Sequence, residues 1–188
     1  MSRWSAIVLS AVLALGILVE RQGAFAADLP EQPTYSDQVI LFMAGMIGRG
    51  AYHRFRRAVV EAEPTIVVLE GPGGYLGESI LIGEEVRKRG LATVVLPNGK
   101  CASACAVVFL SGRAKYMGRN AYVGLHAASS EDGRASASGT GIMAGYLRDL
   151  GVPRAIIRRM TETSPRDIRW LTRSDRRALR IQTLGTAR

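Results

Sequence analysis

Thr65-Ile66-Val67-Val68-Leu69-Glu70-Gly71-Pro72-Gly73-Gly74 decides the fold. Its first six residues form a continuous run dominated by β-branched side chains, without alternation, which marks a strand covered on both faces of a parallel sheet. The glycine segment reads as a turn. Leu76 to Arg89 then puts Leu76, Ile80, Ile82, Gly83 and Val86 on one helical side, with Glu84, Glu85, Arg87 and Lys88 toward water. Gly90 closes that helix, and Ala92 to Leu96 is a second buried-type strand.

The same alternation continues outward in both directions. Upstream, Gln38 to Met43 reads as a short strand, Gly48-Arg49-Gly50 as a turn, and Ala51 to Ala62 as a helix ended by Pro64. Downstream, Pro97-Asn98-Gly99 turns the chain into the apolar helical run that holds Ser103, and Ser111-Gly112-Arg113 ends that run. Lys115 to Met117 and Ala121 to Leu125 are further strands, and helices follow at Ile142 to Leu150, Pro153 to Thr161 and Arg173 to Leu179. This order predicts an α/β fold of repeated βαβ units with a mainly parallel sheet and C-terminal helices. Ala127 to Gly141, rich in Ser and Gly, reads as a long loop suited to a lid or specificity role.

Composition sets the outer limits. With 188 residues, 47% of them hydrophobic, the chain suits one domain with a substantial core. The net charge of +9 comes almost wholly from arginine, yet aromatics make up only 6%. No aromatic stacking platform interleaves with the basic residues, so nucleic acid is not the expected partner.

The first residues read as a targeting signal. Arg3 precedes the apolar run Ser5 to Val19, and Ala24-Phe25-Ala26 offers a small-x-small cleavage pattern. A signal peptide over 1–26 predicts export, to the periplasm or beyond the cell, with an uncleaved anchor as the alternative. Residues 27–37 then form a flexible lead-in, and 38–188 form the domain.

The chemistry concentrates in Lys100-Cys101-Ala102-Ser103-Ala104-Cys105-Ala106-Val107-Val108-Phe109-Leu110 and in His126, which follows the strand Ala121 to Leu125. A serine among small residues at a helix start, with a histidine delivered at a strand end, is a candidate nucleophile and base. The other histidine, His53, falls beside arginines on an amphipathic helix and reads as a surface residue. The glycine segment lacks the dinucleotide pattern, because position 76 is Leu76, and no phosphate-loop Gly-Lys-Ser/Thr occurs. Neither a cofactor nor a metal is expected, since the cysteines and histidines lack ligand spacing. Cys101 and Cys105 flank Ser103 at i−2 and i+2. Four apart on a helix they are within disulfide reach in an oxidising compartment; the alternative is two small residues packing the nucleophile helix.

Taken in order, Gly71 to Gly74, Ser103 and His126 resemble the serine-peptidase side of the Clp protease and crotonase superfamily, over about Gln38 to the end of the chain. Gly71 stands where that family has the serine of a Ser-Pro-Gly-Gly-like turn. The resemblance implies a ClpP/crotonase-like fold, a hydrolase with Ser103 as nucleophile and His126 as general base, and an oxyanion hole from the N–H groups of Gly73 and Ala104. It implies Asp167, in Arg166-Asp167-Ile168-Arg169-Trp170, as the orienting carboxylate, with Asp149, Glu162, Asp175 or a simple dyad as alternatives. A serine–lysine arrangement through Lys100, as in signal peptide peptidases, is a further alternative. The resemblance also implies a peptide or protein substrate and a homo-oligomer, while export argues against an ATPase partner. The rival reading is a noncatalytic or acyl-thioester-binding protein of the same fold.

Overall fold

The computed structural model describes residues 38–130 and 132–184. The expected signal peptide and lead-in lie outside the described residues. The described chain runs β1 (Ile40–Ile47), α1 (Ala51–Ala62), β2 (Ile66–Gly74), α2 (Leu76–Lys88), β3 (Ala92–Val95), β4 (Lys100–Ala102) and α3 (Ala104–Leu110). It continues through β5 (Lys115–Met117), β6 (Tyr122–Leu125), α4 (Ala137–Asp149), α5 (Arg154–Thr161), β7 (Arg169–Trp170), α6 (Arg173–Ala178) and β8 (Gln182–Thr183). The α/β architecture with a mostly parallel sheet is the one the sequence predicts; among the strand pairs of the described residues only β6–β7 is antiparallel.

Strand β2 is the hub of the sheet. One of its edges pairs with β1 along most of its length. On the other edge Ile66, Val67 and Val68 pair with β3, whereas Gly71 pairs with Cys101 of β4, so the sheet forks partway along β2. One branch runs β3-β5-β8 and the other β4-β6-β7. The glycine segment therefore continues the strand rather than turning. At the fork β1 bulges around Gly45, and a side chain at Gly71 would place its Cβ 2.2 Å from the Gly45 carbonyl oxygen. Only glycine allows that approach.

The helices follow their apolar faces. Ala51, Phe55 and Val59 recur every fourth residue along α1 and are buried. The N-cap of α1 is Gly50, which has no side chain to accept the helix's free N–H groups, and the Gly48 carbonyl takes only the Ala51 N–H at 3.1 Å. Instead Glu78 of α2 accepts the N–H groups of Gly50 (2.7 Å) and Tyr52 (2.8 Å), and these bonds hold its carboxyl below the usual range. All seven residues of α3 are buried. Such a helix has no amphipathic face to orient it and belongs at the centre of a core. Fully burying Val107, Val108, Phe109 and Leu110 contributes about 1.5–3 kcal/mol each.

Further segments depart from the sequence reading. Lys100–Ala102 is a strand, so Cys101 lies on β4 and only Cys105 lies on α3. Ala137 to Gly141, which includes the poor helix formers Ser138, Gly139, Thr140 and Gly141, already belongs to α4. They are helical because the Ser136 hydroxyl caps them by accepting the Gly139 N–H at 3.1 Å. The loop after His126 therefore ends at Ser136, and is pinned by a bridge between Ser129 and Ala135. The two-residue strands β7 and β8 are too short to leave a periodic signal.

Candidate active site

Parallel strands deliver their ends, and the starts of the helices after them, to one edge of the sheet. Gly73 and Gly74 close β2, Ser103 joins β4 to α3, and His126 follows β6. They meet around a cavity of about 460 Å³ whose lining includes Gly74, Ser103, Ala104 and His126.

Ser103 stands at the N-cap of α3 with φ 55° and ψ −126°, a conformation that costs a non-glycine residue about 1–3 kcal/mol. It is held there from both sides. Its N–H donates to the Gly124 carbonyl of β6 at 2.9 Å, and its carbonyl accepts the Ala106 N–H at 2.9 Å. The hydroxyl does not cap its own helix, so it remains available to the cavity.

Gly73 is buried against this turn with φ 103°. A side chain there would put its Cβ 2.6 Å from Ser103 Cβ, 2.7 Å from the Ala104 nitrogen and 2.8 Å from the Ala102 oxygen. The backbone of β2 thus touches the start of α3, where the first N–H groups have no partner within the helix. Gly74 continues the contact with φ 142°, its Cβ position lying 2.3 Å from the Ile47 oxygen.

The His126 ring is half-buried, and its Nδ1 lies 2.6 Å from the Ala127 carbonyl oxygen. A carbonyl only accepts, so Nδ1 carries the proton, which in the neutral tautomer places the lone pair on Nε2. The peptide beyond is anchored, since Ala127 N–H donates to the Thr163 oxygen at 2.9 Å and Ala128 N–H to Thr140 Oγ1 at 3.0 Å.

The other residues singled out in the sequence fall elsewhere. Asp167 is exposed in the bend before β7, where its N–H donates to the Ser164 oxygen; the structure does not bring it to the imidazole. Among the described residues no carboxylate lines the cavity. Asp149 and Glu162 are exposed. Asp175 is buried, but its carboxylate is committed to the Thr172 capping box and to Arg159. Lys100 is exposed at the start of β4 and lines no part of the cavity, so a serine–lysine pair is not assembled. His53 is exposed on α1. Cys101 and Cys105 are joined as a disulfide across the Ser103 turn, with Cα atoms 5.2 Å apart.

Sequence reasoning missed the cavity wall. Met46, Leu76 and Met143 supply its apolar part, and Arg49 and Tyr75 its rim. Arg49 donates from Nε to the Tyr75 hydroxyl at 3.2 Å, with its guanidinium 4.8 Å from the ring centre. The only sequence signal for it was an arginine between two glycines in a strand-to-helix turn.

No protein-family model matches the chain, and no curated protein does. Solved structures do. The membrane-bound stomatin-specific protease 1510-N, as a serine-to-alanine mutant, superposes with a TM-score of 0.60 at 18% identity, over 78% of this chain and 78% of that one. A lysine-to-alanine mutant of that protease in complex with a substrate peptide gives 0.60 at 18% identity, over 78% and 74%. The ClpP catalytic domain from Plasmodium falciparum gives 0.60 at 13% identity, over 78% and 85%. The fold is ClpP-like. That likeness shows the fold, while the chemistry of Ser103 and His126 rests on their own geometry.

Proposed function

We propose that this chain is a serine hydrolase that cleaves peptide bonds. One observation carries the reading: Ser103, the start of α3 and His126 line the same cavity, with the backbone of Gly73 pressed against Ser103 and Ala104. In this mechanism Ser103 Oγ bonds to the substrate carbonyl carbon as its proton passes to His126 Nε2. The N–H groups of Gly73 and Ala104 take the developing oxyanion, and the partial positive charge at the start of α3 adds to them. The C–N bond then breaks, His126 returns the proton to the leaving amine, and water repeats the sequence to free the acyl group. The Ala127 carbonyl holds the imidazole tautomer.

A peptide substrate is supported by the structural neighbour that holds one. Export is supported by the amino-terminal sequence pattern and by the disulfide, which persists in oxidising compartments. Among the described residues no helix is long and apolar enough to cross a membrane. A homo-oligomer is supported by Phe42 and Met46, 66% and 73% exposed along the edge strand β1. A second reading, a binding protein that keeps the fold without turnover, is favoured by the exposed position of Asp167 in the bend before β7.

Labelling of the purified protein with a fluorophosphonate decides between them. Incorporation that disappears in Ser103→Ala and falls about 10³-fold or more in His126→Ala is the expected result. A folded wild type that takes no label establishes the binding reading. Asp167→Ala tests the remaining carboxylate: unchanged labelling leaves a dyad, and a loss matching His126→Ala gives Asp167 the orienting role.

A further inference from the structure

We infer that the Cys101–Cys105 disulfide is a positioning clamp for the nucleophile turn, an inference that rests on the hydrolase reading of Ser103. Four residues of extended chain would separate their ends by about 13 Å. The Cα atoms of Cys101 and Cys105 are 5.2 Å apart, so the chain reverses between them with Ser103 at the apex. The disulfide closes this reversal covalently.

The two ends it joins are already fixed. Cys101 lies in β4 between Gly71 of β2 and Val123 of β6, and Cys105 is the second residue of a helix buried along its whole length. Ala102, Ser103 and Ala104 form the intervening turn, which carries both the hydroxyl and the Ala104 N–H facing Gly73. Ser103 also holds its disfavoured φ of 55° only while its surroundings enforce it. Two hydrogen bonds do part of that work, and the disulfide is the covalent part.

Two facts separate a clamp from the other uses of a disulfide. The stabilisation of the whole fold by a cross-link grows with the loop it closes, and a sequence separation of 4 closes one of the shortest loops available. Its effect is therefore local. Both cysteines are buried, at 0% and 3% exposure, which shields the sulfurs from attacking thiolates. The bond is thus a permanent part of the site rather than a reversible switch.

The test compares wild type with the Cys101→Ala/Cys105→Ala variant by two measurements. In fluorophosphonate inactivation the expected result is a kinact lower by about a hundredfold, the scale of a misplaced reacting group, with KI essentially unchanged. In amide hydrogen exchange the Ser103 and Ala106 N–H groups, bonded to the Gly124 and Ser103 carbonyls, should exchange about tenfold or more faster, while Val67 and Val95 keep their protection. An unchanged kinact in labelled protein overturns the clamp and leaves the hydrolase reading intact. Should wild type take no probe, the hydrolase reading falls, and exchange alone decides whether the turn is clamped; unchanged exchange at Ser103 and Ala106 overturns it. Should the double variant fail to fold, wild type refolded and held in dithiothreitol keeps both thiols in place and supports the same two measurements.

Discussion

The two edges of the sheet are built from the same repeating unit and carry opposite chemistry. At the carboxyl edge, α2 and α3 begin, and backbones meet without side chains between them. Gly73, Gly74 and Ser103 all take positive φ there, and no carboxylate lines the cavity among the described residues. At the amino edge α2, α3, α4 and α6 end. Two adjoining cavities of about 570 and 380 Å³ are lined there by Arg87, Arg113, Lys115 and Arg180, again without a carboxylate. Helix ends present carbonyls with partial negative charge, which cations offset. Cations thus serve opposite edges differently. At the amino edge they face helix carbonyl ends, while at the carboxyl edge Arg49 on the cavity rim adds to the positive potential of the helix N–H groups. Part of the basic composition belongs to the scaffold rather than to a ligand.

Gly73→Ala breaks the comparison most severely. The new Cβ would meet backbone atoms at 2.7 and 2.8 Å that cannot swing aside, at a φ of 103°. Labelling should fall about 10³-fold through loss of the oxyanion geometry, and stability should fall by about 3 kcal/mol from overpacking and strain. Gly90 at the amino edge also has positive φ, 64°, but its nearest neighbour would be Arg113 Cδ at 3.8 Å. Gly90→Ala should therefore cost about 1–2 kcal/mol from backbone conformation alone and leave labelling unchanged. Equal effects of the two on labelling would show that close backbone approach is not special to the carboxyl edge.

Asp175 gives the next largest effect. Burial pushes its pKa up, but the Thr172 N–H and hydroxyl and the Arg159 guanidinium outweigh burial and hold it below the usual carboxylate value. A carboxylate whose folded pKa is depressed contributes stability above its unfolded pKa of about 3.9, and that stability is lost as pH falls through the folded value. Asp175→Ala should cost about 2 kcal/mol at neutral pH, the Arg159 side being partly solvated, and the difference from wild type should shrink below about pH 4 in urea unfolding. Labelling at Ser103 should survive, because the pair braces α5 against α6 rather than the cavity.

The main elements were legible because they repeat a strong local signal. Val67 to Leu69 and Thr93 to Val95 are buried without alternation, and α1 shows its apolar stripe at the expected spacing. Ser103 and His126 were legible as a small-residue helix start and a strand-end histidine. What failed had no local signature. The extension of β2 through Gly71 to Gly74 depends on β1 bulging at Gly45, a contact between segments far apart in sequence. The strand Lys100–Ala102 is only three residues and runs into a helix of similar composition. Asp167 rests on resemblance alone and is exposed before β7, and the contact of His126 Nδ1 with the neighbouring peptide carbonyl leaves no trace in side-chain sequence.

Lys115 carries the smallest and most discriminating effect at the amino edge. Its ammonium donates to the Gly112 oxygen at 3.1 Å, close to the end of α3, which favours the charge. Burial, and after it the charge of Arg87, lower its pKa. A lysine whose folded pKa lies below its unfolded value binds its proton less tightly when folded, so the charge opposes folding at neutral pH. That penalty disappears as pH rises past the unfolded value of about 10.4. Lys115→Met should therefore raise stability by about 0.5 kcal/mol at pH 7, and its advantage over wild type should narrow as the pH is raised toward 10 in thermal unfolding. A variant that is less stable than wild type at pH 7, with a deficit that closes as the lysine deprotonates, would make the ammonium a net helix-end cap. The amino edge would then be balanced by its cations, where the lowered pKa makes it overfilled with them.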